Sequence, residues 1–480
     1  MARVYGLPKT HKVKSKKDKL KLRPIISSIG TFNYGLAKFL TKKLGDYIPS
    51  KYTVKDSFTF VKNITDLDMR SKYLVSYDVE SLFTNIPLKE TIDIAVNLII
   101  EKEPQIKISK KELQTLFEFA TSLSHFSFNG MIYDQTDGVA MGSPLGPVLA
   151  NVFMGFHENK WISNYSNNNK PLYYARYVDD IFCLFDNEKD SEMFLNYLND
   201  QHNNIRFTIE KETEGRLSFL DTKIDKTQGV KPSISIFKKS TFTGLMINYL
   251  SYNPFSYKLS VVKSMIHRIY SICNSESNIQ SDLKNFKKIM NRNMFPKQII
   301  GKEIENYLSK TNYVTTNEEK TLEKQISYFK LPYFENISET TIKKLRKIAY
   351  DLCKKTDIRL SFSTCKIGSL FSAKDKLKDT LKSFVVYQFT CAGCNASYIG
   401  ETTRHLTTRI DEHFSSQSSH IKKHLDNSAN CKNVCNESCF KIIDEAKTQF
   451  SLKLKEAMHI EWKKPSLNIQ QKHVQVTINI

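Results

Sequence analysis

Within Tyr173–Phe185, two short apolar runs meet at Val178-Asp179-Asp180. Runs of that length, broken by a polar step, read as strands joined in a hairpin. A second apolar run, Tyr73–Tyr77, reads as a buried strand that ends at Asp78. Three carboxylates are thus presented at strand ends. Such hard oxygen ligands, few in number, suit Mg²⁺. Nucleotide joining needs two such ions about 3.5–4 Å apart. An Asp-Asp pair after a strand is also simply a turn, so the remaining sequence must decide between the two.

The chain has 480 residues, more than one core accommodates, which predicts two to four domains. A formal net charge of +21 favours a polyanionic partner through counterion release. The other partner for such charge is a membrane surface. However, the nearest thing to a spanning run, Ile92–Ile100, is too short, and MARVYGLPKTHK lacks the apolar core of a signal peptide. Seven of the nine cysteines lie from Cys353 onward. Without a secretory signal, clustered cysteines point to metal and a reduced compartment more than to a disulfide framework.

Along the chain, residues 9–21 form a Lys-rich run, readable as a solvated face, a template contact or an import signal. Up to Tyr249 the texture is mixed α/β. Helices are expected at Ile92–Ile100 and Lys111–Leu123, a helix opens at Val148, and strands are expected at Ile205–Glu210 and Ser233–Phe237. Basic helices follow at Ser260–Cys273 and Asn278–Met290, then a polar stretch, Thr311–Lys320, suited to a linker. A new unit opens with a strand at Phe384–Phe389, a short strand at Tyr398 and a helix over Thr403–Phe414.

Between the carboxylate sites lies Gly142-Ser143-Pro144-Leu145-Gly146-Pro147, whose glycines allow close backbone approach. Arg23-Pro24-Ile25 offers a guanidinium able to grip a triphosphate. In order, RPI, SYDVESLF, GVAMGSPLGPVLANVF, YVDD and LSFLDTKI resemble the palm and fingers of reverse transcriptases over roughly residues 5–275. YGLPKTHK and SLFTNIPL look more narrowly like the Penelope-like retroelements. The resemblance implies that Asp78 and Asp179 hold Mg²⁺ (or Mn²⁺), supported by Asp180. It implies that Phe83 selects deoxynucleotides and that Gly142, Ser143 and Pro144 line the nascent pair. Arg23 would contact the triphosphate, and Lys223 would protonate pyrophosphate. Met141 departs from the family, which often has Gln there, and the chain begins almost at the first fingers motif.

The C-terminal unit carries Val386-Tyr387, Cys391-Ala392-Gly393-Cys394, Tyr398-Ile399-Gly400, Arg409, His413, His420, His424, Glu456 and Asn468. Tyrosines, one carboxylate and an arginine can supply the base, metal ligand and cation that phosphodiester hydrolysis requires. Cys391, Cys394, His420 and His424 make a possible tetrahedral Zn²⁺ set, with Cys431, Cys435 and Cys439 as rivals. Over residues 384–470 this unit resembles the GIY-YIG endonucleases. The resemblance implies Tyr387 and Tyr398 at the attacking water, Arg409 and His413 beside them, and Glu456 on the metal ahead of Glu461. Asn468 would brace the site.

The expected architecture is α+β and multidomain: a right-hand polymerase palm and fingers (1–250), a helical thumb (251–350) and a linker (351–383). A small α/β GIY-YIG nuclease with a zinc insert (384–470) and a tail (471–480) complete it. The expected activity is RNA-directed DNA synthesis coupled to DNA nicking, with RNA template, DNA primer or target and dNTPs as partners, in the nucleus. The alternative is a decayed or domesticated element protein that binds nucleic acid without polymerising.

Overall fold

The structure, a computed structural model, describes residues 2–8, 22–48, 51–121, 125–165, 169–313, 325–352, 356–363 and 378–468. The Lys run at 9–21, most of the expected linker at Thr311–Lys320 and the 471–480 tail lie outside them. The chain divides into two compact units. One comprises Tyr5–Ser124 and Asp134–Ala373. The other comprises Met1–Val4, His125–Tyr133 and Lys374–Ile480.

The first elements are β1 (Ala2–Pro8), β2 (Leu22–Ser27), α1 (Tyr34–Gly45), α2 (Ser57–Ile64) and β3 (Tyr73–Val79). Then come α3 (Leu82–Asn85), α4 (Leu88–Lys102), α5 (Lys110–Thr121), the hairpin β4 (Phe126–Phe128) and β5 (Met131–Tyr133), and α6 (Gly146–Asn164). β6 (Tyr173–Tyr177), β7 (Asp180–Phe185), α7 (Glu188–Asp200) and β8 (Phe207–Lys211) follow. Strands β6-β7-β3-β8 form one antiparallel sheet in that order.

The composition of β7 explains how this sheet is buried. Its run Ile181–Phe185 has no polar alternation because both faces are covered. Ile181, Cys183 and Phe185 pack with Val75, Tyr77 and Val79 of β3 against Ala150, Phe153 and Met154 of α6 and Phe194 of α7. Phe182 and Leu184 point the other way, with Leu74, onto Phe60, Val61 and Ile64 of α2. That second face also meets a small sheet of β9 (Arg216–Phe219), β10 (Thr222–Asp225) and β11 (Ser233–Ile236). Each fully buried Phe or Leu contributes roughly 1.5–3 kcal/mol of transfer free energy. A third core joins α1, α4, α5 and α6 through residues such as Leu40, Val96, Phe117 and Val152.

Helices α8 (Phe255–Ile272), α9 (Glu276–Arg292) and α10 (Lys297–Tyr313) pack on Val262, Ile266, Ile269, Phe286, Met290 and Ile300, spaced as amphipathic stripes. The expected linker at 351–383 is partly folded. Next to α11 (Glu335–Leu352), β12 (Gln325–Pro332) pairs in parallel with β13 (Thr356–Ser363). The Ile358, Leu360, Phe362 alternation is the strand pattern that a linker reading overlooks.

In the second unit, β14 (Val385–Thr390) is the centre of a sheet with β15 (Ser397–Thr402) and, further along the chain, β16 (Phe440–Glu445). Between them lie α12 (Leu406–Ser415), α13 (His420–Asp426) and α14 (Ala429–Val434), and α15 (Gln449–Lys463) ends the unit. One face of β14 packs Val385 and Tyr387 on Leu406 and Ile410 of α12. The other packs Val386, with Ile399, on Leu452 and Ile460 of α15. Among the described residues no helix is long and apolar enough to cross a membrane.

Candidate active sites

In the larger unit the register of β3 against β7 sets Asp78 directly opposite Asp180. Partners in an antiparallel pair project to the same side. Tyr177 of β6 also pairs with Asp180, leaving Val178-Asp179 as a two-residue connection. Its first residue has φ 57, a conformation that β-branched side chains rarely adopt. The carbonyl of Asp179 accepts from the Val79 N–H at 3.0 Å, tying the turn to β3. Burial first, then the neighbouring Asp179 and Asp78, pushes the Asp180 carboxyl up to about 6, and Lys239 opposes the shift. Crowded, partly desolvated carboxylates of this kind form the donor set that a divalent cation relieves.

The glycine loop is docked on the fold at two points. The Ile26 N–H of β2 donates to the Met141 carbonyl at 2.8 Å, and the Val139 N–H donates to the Phe83 carbonyl at 2.6 Å. Gly142 has φ 129, and a Cβ there would lie 2.2 Å from the Ile26 oxygen, so only glycine lets β2 approach. Ser28 Oγ donates to the Gly142 carbonyl at 2.9 Å, and the Ser143 N–H donates to the Ala140 carbonyl at 3.1 Å. Ser143 and Pro144 are half-buried, just before the N-terminus of α6. Phe83 on α3 is half-buried beside the palm core. Arg23 is exposed on β2. Lys223 is exposed on β10, and the cation acting on Asp180 is Lys239, which sequence reasoning missed. No motif marks Lys239; only the path of the chain after β11 reveals it.

In the smaller unit Tyr387 is fully buried opposite Gly400, where a Cβ would lie 2.6 Å from the Tyr387 hydroxyl. Glycine is therefore required for that ring to fit. Arg409 Nε donates to the Tyr387 hydroxyl at 3.2 Å. The hydroxyl hydrogen is then directed at His413 Nε2, 2.6 Å away. His413 Nδ1 faces Ser419 Oγ at 2.9 Å. Burial, then Arg409, pushes His413 down to about 4, so the imidazole is neutral and accepts on Nε2. Burial raises the Tyr387 phenol. Tyr398 packs edge-on against His413, centroids 5.3 Å apart. Asn468 accepts from the Ile399 N–H and donates to the Ile399 carbonyl, both at 2.7 Å, bracing β15 next to Tyr398.

Glu456 is half-buried on α15, whereas Glu461 is exposed. Burial, then Glu401, raises the Glu456 carboxyl to about 7, while Arg409 acts against this. Glu401 was also missed by sequence reasoning. It follows Gly400, shares the face of β15 on which Ile399 meets α15, and has a buried carboxylate oxygen without a hydrogen-bond partner.

The expected zinc set is corrected at one position. Cys391, Cys394, His424 and Cys431 bring their ligand atoms within 4.8 Å of one another. His420 lies elsewhere, stacked on Tyr398 with the rings 20° apart. The helix carrying both histidines turns them to different neighbours, and the N-terminus of α14 brings in Cys431. Within the set Cys394 Sγ is 3.5 Å from His424 Nε2, and one further thiol adjoins it, Cys435 Sγ, 3.5 Å from Cys391 Sγ. Soft thiolates with one imidazole fit Zn²⁺. A second cluster, Glu90, His157 and His202, is different. His202 Nδ1 accepts from the Asn204 N–H at 3.1 Å, which leaves Nε2 carrying the proton toward Glu90 rather than a lone pair for a metal.

Residues 14–236 match the reverse transcriptase (RNA-dependent DNA polymerase) family, 245–305 the animal helix-turn-helix domain, and 383–469 the GIY-YIG catalytic domain. No curated protein matches the chain. Among solved structures it is similar to telomerase from Candida albicans in complex with a fragment of telomeric RNA. That likeness has 11% identity and a TM-score of 0.47, covering 66% of this chain and 61% of that one. It is also similar to the Sicinivirus 3Dpol RNA-dependent RNA polymerase, with 13% identity, a TM-score of 0.37, and coverage of 59% and 64%. The chain spans 54% to 61% of the lengths of the first three telomerase structures. The chain thus carries a reverse transcriptase domain followed by a GIY-YIG domain, which is the Penelope-like arrangement.

Proposed function

We propose that the chain is the enzyme of a Penelope-like retroelement, which nicks DNA with its GIY-YIG domain and extends the exposed 3′-OH by copying RNA. The observation that carries the reading is the pairing of Asp78 with Asp180, beside Asp179, at the end of one sheet. Mg²⁺ or Mn²⁺ bound there would activate the primer 3′-oxygen and neutralise the triphosphate.

Asp78 and Asp179 serve as its ligands, and Asp180 adds charge. Phe83 excludes a 2′-OH. Gly142, Ser143 and Pro144 line the new base pair. Arg23 holds the triphosphate, and Lys223 or Lys239 supplies a proton to pyrophosphate. Helices α8–α10 act as the thumb, with basic residues facing the phosphates of an A-form hybrid.

In the nuclease, Glu456 holds a single divalent ion. As water attacks near the tyrosines, the Tyr387 oxygen takes a proton from it while the phenol's own proton moves on to the neutral His413. Arg409 meets the charge that develops on the phosphate. Zn²⁺ held by Cys391, Cys394, His424 and Cys431 is structural. The protein works in the nucleus, where chromosomal DNA lies.

The test is primer extension on an RNA template with Mg²⁺ and dNTPs, alongside nicking of a supercoiled plasmid. The native chain should do both, and Asp179→Ala should nick without extending. A native chain that nicks but does not extend would make the polymerase half a scaffold. Extension by Asp179→Ala would overturn the metal assignment.

A further inference from the structure

Arg176 is among the largest side chains with no solvent exposure. It lies on β6, two residues before the strained Val178. Its guanidinium is shared among four partners. Nε donates to Glu158 at 2.8 Å, and Nη2 donates to Thr53 Oγ1 at 3.3 Å. Nη1 donates both to Asn151 Oδ1 at 2.7 Å and to the Val178 carbonyl at 3.0 Å. Tyr174 completes the network by donating to Glu158 at 2.6 Å. The backbone is held as well: the Arg176 N–H donates to the Tyr52 carbonyl at 2.7 Å, and its carbonyl accepts from Val54 at 2.9 Å.

We propose that Arg176 is a positioning residue of the polymerase site. Its buried fork holds the Val178 carbonyl so that Asp179 and Asp180 are delivered toward Asp78. The proposal rests on the polymerase reading of those aspartates. Both carbonyls of the two-residue turn are clasped, Val178 by Arg176 and Asp179 by Val79. A β-branched residue at φ 57 persists only where its surroundings over-determine it. Asn151 and Glu158 lie on α6, whose N-terminus continues from Gly142-Ser143-Pro144. One guanidinium therefore sets the aspartate hairpin against the helix that follows the glycine loop.

Stability alone does not explain the group. A buried ion pair generally adds little over well-packed apolar side chains. Direction does explain it, because only a planar fork reaches a carboxylate, an amide and a main-chain carbonyl together. Lysine keeps the charge for Glu158 but loses the fork.

The test compares Mn²⁺ binding by the full chain, followed by electron paramagnetic resonance, in the native protein, Arg176→Lys and Asp179→Ala. The component lost in Asp179→Ala identifies the polymerase site. In Arg176→Lys that component should weaken ~10–100-fold, as orienting partners of metal ligands typically do. The Mg²⁺ concentration for half-maximal extension should rise in parallel, with the dNTP KM little changed and the melting temperature close to native. Should Arg176→Lys fail to fold, Asn151→Ala, at the half-buried partner of Nη1, should show the same weakening to a smaller degree. Native-like Mn²⁺ binding in the folded variant would overturn the proposal, as would a native chain without an Asp179-dependent component. A native chain that binds Mn²⁺ at that site yet extends nothing would instead overturn the polymerase reading and leave the positioning role standing.

Discussion

Asp78 and Asp180 face one another across β3 and β7, the last residue-for-residue pair of that ladder, with Val79 closing on the Asp179 carbonyl beyond it. Two carboxylates held on one side of a sheet repel each other, and only a cation or a proton relieves them.

In the metal-free chain the cost of that charge, set first by burial and then by this repulsion, is measurable. Asp180 rises from its ordinary 3.8 to about 6 in the fold, so the folded state binds its proton more tightly than the unfolded state. The charged group therefore opposes folding above pH 6, and the penalty fades as the pH falls toward the unfolded value. Asp180→Asn should raise the melting temperature of the EDTA-treated protein by a few degrees at pH 7.5 and by about half as much at pH 5. Differential scanning calorimetry at both pH values checks this. An equal rise at both would show that the charge is not the cause.

Nicking should have an acid limb near pH 7. Glu456 must be ionised to hold a metal, and burial followed by Glu401 keeps it protonated up to about 7. Glu401→Gln removes the second of these causes, so the limb should move to lower pH. Nicking rates from pH 5.5 to 8.5 for both proteins decide it. An unmoved limb would mean that another group sets the profile.

Zinc content separates the ligand sets. Cys431→Ser should lose most bound zinc, and His420→Ala should retain it, because Cys431 and not His420 joins Cys391, Cys394 and His424. Inductively coupled plasma mass spectrometry of the purified variants gives the answer. Chelating the zinc should also lower the melting temperature of the nuclease unit, since structural zinc contributes folding free energy.

Asn468→Ala should destabilise the nuclease by about 1–3 kcal/mol, the usual cost of leaving buried backbone groups unpaired, here the N–H and carbonyl of Ile399. Nicking should fall with it while primer extension persists. Urea unfolding of this variant against the native chain measures the first effect, and paired activity assays measure the second. Loss of extension along with nicking would point to a global defect.

Much of the fold was legible because short-range pattern carried it. The apolar runs at Tyr73–Tyr77 and Tyr173–Phe185 became β3, β6 and β7, and the helical stripes at Ser260–Cys273 and Asn278–Met290 lie within or beside α8 and α9. The strand β13 was missed because its neighbours are polar and its partner β12 lies a helix away in sequence. His420 was placed ahead of its rival Cys431 because spacing along one helix does not state which way each side chain turns.

From the sequence alone came the identity of the chemical groups: three aspartates at strand ends, a glycine loop between them, and a tyrosine, arginine and glutamate series after a CxxC. Order and residue type are local properties, and the family resemblance rests on them. Tertiary structure decided which groups act on each other. It set Lys239 and Glu401 as charges acting on Asp180 and Glu456, Cys431 beside Cys391, Cys394 and His424, and Arg176 as the clasp on Val178. Those relationships depend on strand register, on helix rotation and on the burial that strengthens each charge. None of these is a property of the residues taken one at a time.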